Sequence, residues 1–63
     1  MNYALVLAIS DEAILEFHTA KEAIDFHERF EDGAWRDVFP HLSKAPETYV
    51  GSWDSVKGWV RLR

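Results

Sequence analysis

The sequence predicts a small α+β domain, an antiparallel sheet of three to five strands entered in the order strand, strand, helix, with one amphipathic helix packed on it. Three observations carry this. A seven-residue apolar run, Tyr3 to Ile9, opens the chain. The tetrad Thr19-Ala20-Lys21-Glu22 has the form of a helix capping box. Two runs rich in aromatic and β-branched residues, Glu47 to Trp53 and Trp59 to Arg63, flank a turn that contains Gly58. Sixty-three residues accommodate one compact domain, 1–63, and no second. With 48% hydrophobic and 14% aromatic residues, the chain has the composition of a folded globule.

Taken in order, Tyr3 to Ile9 is apolar on both alternating sets, which marks a central strand covered on two sides, or on one side with an interface on the other. Ser10-Asp11-Glu12 breaks it, and Ala13 to Thr19 alternates, with Ala13, Leu15 and Phe17 on one side and Ile14, Glu16 and His18 on the other, as the return strand of a hairpin. From Thr19 the period changes. Ala20, Ala23, Ile24, Phe26, His27 and Phe30 fall in one helical sector, and Lys21, Glu22, Asp25, Glu28, Arg29 and Asp32 fall opposite. Gly33 reads as the helix stop. One helix from Ser10 to Asp32 is the competing reading. Ala34 to Leu42 is either a short strand or a helical turn interrupted at Pro40, and Ser43 to Pro46 is a loop. The two late strands are joined by Asp54-Ser55-Val56-Lys57-Gly58, over which a short helix is the alternative.

The formal charge of −4 conceals an uneven distribution. Met1 to Asp32 carries eight acids against two bases, and Gly33 to Arg63 five bases against three acids. The absence of cysteine removes disulfides, thiolate metal sites and a Cys nucleophile, and fits a reducing, cytoplasmic setting. The apolar run is far shorter than the roughly 20 residues of a membrane span and has no basic residue before it, so neither membrane insertion nor export is expected.

Candidate chemistry is thin. His27 and Glu31, one helical turn apart, could supply two metal ligands with His18 or His41 as a third, but neither a paired His at i, i+4 nor a Glu-x-x-His is present, and a core-edge His27 is the simpler reading. The carboxylates Glu22, Asp25, Glu28 and Asp32 lie on the outward helix face with pairs such as Asp25 to Arg29, which makes them a solvated face or an acidic docking face. No nucleophile elbow and no Gly-rich phosphate loop occurs. The expectation is therefore a protein that is not an enzyme and holds no cofactor or metal.

Interface chemistry is better represented. A single helix covers one sheet face, here taken to be that of Ala4, Val6, Ala8, Leu15 and Phe17, and leaves Tyr3, Leu5, Leu7, Ile9 and Ile14 for another layer. Trp35, Arg36, Tyr49, Trp53, Trp59, Arg61 and Arg63 are of the types that dominate binding energetics and form the candidate partner surface. The expected partner is a larger host protein or nucleoprotein complex. Self-association is an alternative, and so is single-stranded nucleic acid bound by aromatic stacking between Lys57, Arg61 and Arg63. In size, acidity and lack of cysteine, the chain resembles small accessory proteins of phages and mobile elements, including anti-CRISPR inhibitors, which implies occupation of a host machine's surface. Glu16 to Phe26 is also similar to the strand-to-helix joint of HicB-type antitoxins.

Overall fold

The computed structural model describes residues 2–63. β1 (Tyr3–Leu7) and β2 (Glu12–Phe17) form a hairpin. They are followed by helix α1 (Ala20–Arg29), a π-helical turn (Phe30–Ala34) and a last short helix, α2 (Trp35–Val38). After a loop come β3 (Thr48–Asp54) and β4 (Gly58–Arg61). The sheet is antiparallel throughout, in the order β2-β1-β3-β4, so the predicted α+β class and the central place of the first strand both hold. The three helical segments together occupy 19 residues, 20–38, with a break in the helical backbone at Gly33.

α1 begins where the capping box places it. The Glu22 amide donates to Thr19 Oγ1 and the Thr19 amide to Glu22 Oε1, each at 3.2 Å, so two amides at the helix start are satisfied reciprocally. Gly33 does not stop the helix. It adopts φ 151°, a value a side chain disfavours, and the backbone passes through a wide turn and resumes as α2, which brings Trp35 into the core. Ala34 to Leu42 therefore supplies a helical turn and not a strand. It is ended before Pro40, whose ring constrains Phe39 away from helical backbone. The late hairpin turns on Asp54, whose Oδ1 accepts the Val56 amide at 2.8 Å and the Lys57 amide at 3.1 Å, with Gly58 at φ 81° closing the turn.

The helix layer packs on the side of Leu5, which is fully buried with Phe30 and Trp35 and is surrounded by Ile14, Phe17, Phe26, Phe39 and Ala45. Ala4 and Val6 lie beneath the opposite face with Tyr49, Ala8, Ala13 and Trp59. This reverses the expected placement of the first strand and of Ile14, in which Ala4 and Val6 lay under the helix and Leu5 and Ile14 away from it, whereas Phe17 lies on the helix side as expected. Two physical causes combine. The helix face is built of large rings, and against Leu5 they fill space that an alanine would leave empty. A bulge opposite Leu5 and Val6 pairs Leu5 with Leu15 but Val6 with Ala13, so Ile14 is an extra residue, and it joins the helix-side core while Ala13 joins Glu16 on the other face. The first strand also ends at Leu7. Ile9 lies in the following turn and is 94% exposed, so it lines neither face.

Candidate functional site: the helix-free sheet face

The helix-free face is built in three cross-strand rows. Trp53 pairs with Trp59 in the first, Glu16, Ala4, Gly51 and Arg61 form the second, and Ala13, Val6 and Tyr49 form the third. Directly paired residues of antiparallel strands point to the same side, so these side chains share one surface. Small residues make up much of the inner rows, and the rings spread over them. The Tyr49 ring leans over Gly51 and Val6, where a methyl on Gly51 would sit 3.2 Å from Tyr49 Cε1, 3.3 Å from Val6 Cγ2 and 3.4 Å from Trp59 Cβ. Val6, Ala4 and Gly51 are buried with no second layer above them.

The aromatic cluster is geometrically fixed. Trp53 and Trp59 meet edge to face with ring centroids 5.1 Å apart. The Arg61 guanidinium lies 5.6 Å from the centre of the Tyr49 ring, a cation–π contact. The Tyr49 hydroxyl donates to Asp11 Oδ1 at 2.8 Å, and burial and this bond hold the phenol above its ordinary range. Asp11 reaches it from a left-handed turn position, φ 55°. Trp53 is 52% exposed although it stands within a strand.

Among the sequence-predicted partner residues, the fold brings Tyr49, Trp53, Trp59 and Arg61 together and separates the rest. Trp35 is 7% exposed, inside the helix-side core, and Arg36 stacks on its ring at 4.8 Å. The Arg63 guanidinium lies 3.6 Å from Glu28 on α1. No family model, curated protein or solved structure matches this chain. What the face can do therefore rests on its own chemistry.

The acidic helix face is individually accounted for in part. Glu22 is engaged in the capping box, Asp25 pairs with Lys21 at 2.6 Å and not with Arg29, Glu28 faces Arg63, and Asp32 is exposed. Arg29 instead sits over the Phe26 ring. Exposed i,i+4 pairs of this kind contribute little to stability. His27 is buried on the sheet side of α1 with Nε2 3.5 Å from the Glu31 carboxylate, and among the described residues no three His, Cys, Asp or Glu side chains converge as a metal site. Sequence reasoning missed Asp11 and Glu16, because their contribution depends on the turn geometry and on the bulge that sets the parity of β2.

Proposed function

We propose that this chain is a non-catalytic protein-binding domain that docks its helix-free sheet face, centred on Trp53 and Trp59 with Arg61 beside them, on a larger assembly. The observation that carries this reading is Trp53. An indole half out of water near the turn end of a strand, held edge-on by a second Trp, on a sheet face without a covering layer, is an apolar anchor with little side-chain entropy left to lose on binding. Tyr49 and Arg61 add the residue types that most often anchor protein interfaces. The chain's acidity and lack of cysteine support a host assembly as the partner and inhibition by surface occupation, as in anti-defence proteins, as the outcome.

The test is capture from host lysate by the tagged chain, side by side with Trp53→Ala and with Asp25→Ala on the helix layer. The expected result is one stoichiometric partner, retained by Asp25→Ala and weakened by at least about 2 kcal/mol, some thirty-fold, by Trp53→Ala. Recovery of the chain alone, or equal capture by Trp53→Ala, overturns the reading. Stacking indoles beside Arg61 also suit single-stranded nucleic acid, but Asp11 and Glu16 stand at the same face and the net charge is −4. A flat anisotropy titration with single-stranded oligonucleotide at low salt is expected.

A further inference from the structure

The helix-free face is complementary to itself. The row Glu16, Ala4, Gly51, Arg61 runs from the β2 edge of the sheet to the β4 edge. It places an exposed carboxylate at one margin and an exposed guanidinium at the other, with two of the smallest residues between them. Height is divided in the same direction. β2 brings only Ala13 and Glu16 to this face, whereas β3 and β4 bring Tyr49, Trp53 and Trp59.

We propose that a second copy of this chain covers the face, in a two-fold dimer whose axis lies between the sheets and runs along the strands. Rotation about that axis exchanges the two margins and keeps every row at its own level. Glu16 of each copy then comes over Arg61 of the other, twice per dimer, and the raised aromatic side of each copy meets the low β2 side of its mate. An axis across the strands would set β2 on β2 and β4 on β4, like charge against like. Four strands about 4.8 Å apart and rows spread over roughly 20 Å of strand give a footprint of roughly 400 Å² on each copy, about 800 Å² over both, in the range of a weak, exchanging interface. The inference stands independently of the partner reading. In the dimer the two Trp are masked, so a foreign surface engages them by displacing the second copy.

Sedimentation velocity and light scattering from micromolar to millimolar concentration test this. The expected result is a concentration-dependent doubling of the 7.3 kDa mass, weakened by salt. Glu16→Arg and Arg61→Glu should each raise the dissociation constant about ten-fold or more, and the two together should restore it, because exchanging the charges preserves the complement. Both positions are exposed, so native circular dichroism is expected of all three variants, and Glu16→Gln, which removes charge without reversing it, serves where a reversal does not fold. A wild-type chain that stays monomeric at millimolar concentration overturns the proposal. So does a folded double variant as monomeric as the single ones. A monomeric chain that still captures a partner through Trp53 overturns the dimer alone, and a dimer that captures nothing overturns the partner reading alone.

Discussion

Gly51 is the residue on which the aromatic face depends. It is buried in the middle of β3, and three groups from different strands close to within 3.4 Å of where its side chain would begin. The rings of Tyr49 and Trp59 can spread across the sheet only because nothing rises between them. Gly51→Ala is expected to destabilise the fold by about 1–2 kcal/mol through overpacking, seen as a melting temperature roughly 4–15 °C lower. Tyr49 supplies a pH-dependent companion test. Its folded-state pKa is raised, so the folded chain holds a proton that the unfolded chain gives up. The corresponding stability is complete below about pH 10 and falls as pH rises through the raised value. Tyr49→Phe should cost about 1 kcal/mol at neutral pH through the lost bond to Asp11, and should flatten the alkaline limb of a melting-temperature series.

Among the elements, α1 was the most legible from sequence, because its start is written in four adjacent residues whose bonds are local. Thr19→Ala should remove one side of the capping box and cost about 1 kcal/mol by chemical denaturation. The late hairpin was legible in Gly58, while the role of Asp54 in accepting two turn amides emerges only from the fold. The two amides donated to Asp54 hold its carboxyl below the ordinary 3.8, so its support for the turn is full above that value and is lost as pH falls through the lowered one. Asp54→Asn should therefore be less stable than the parent at pH 6, with the gap between their melting temperatures closing as the pH approaches 3. The face assignment of the first two strands was not legible. Alternation separates Leu5 from Val6, but which set the helix covers depends on how ring volumes from α1 and α2 fill the space, and the bulge at Ile14 reverses parity part-way along β2. The passage beyond Gly33 was likewise hidden. A glycine at positive φ usually ends a helix, and here the burial of Trp35 carries the chain on.

At the scale of the molecule, the three Trp divide between roles that composition cannot distinguish. Trp35 belongs to the core under the helix layer, while Trp53 and Trp59 roof the opposite face. Acrylamide quenching of single-Trp variants should show Trp53 most accessible and Trp35 shielded. Trp35→Ala should cost about 3–5 kcal/mol, enough to unfold a domain this small, whereas Trp53→Ala should leave it folded. The candidate surface was thus half legible. Residue type identified Tyr49, Trp53, Trp59 and Arg61 correctly as neighbours in the late hairpin, but Trp35 and Arg36 have the same chemistry and only the three-dimensional fold removes them to the other layer.

The strand order has a consequence for how the chain is made. β1 is translated before the other strands and lies inside the sheet, yet its second neighbour, β3, follows about 40 residues later. The hairpin of β1 and β2 can form early with α1 laid on it. Until Thr48 to Asp54 emerges, one edge of β1 keeps its amides and carbonyls unpaired, and Ala4 and Val6 have no rings above them. A nascent chain stalled before β3 is therefore a sticky intermediate, exposed along both an open strand edge and a bare sheet surface. Completion of the late hairpin closes both at once, so the segment that builds the binding face also ends the chain's period of greatest risk of aggregation.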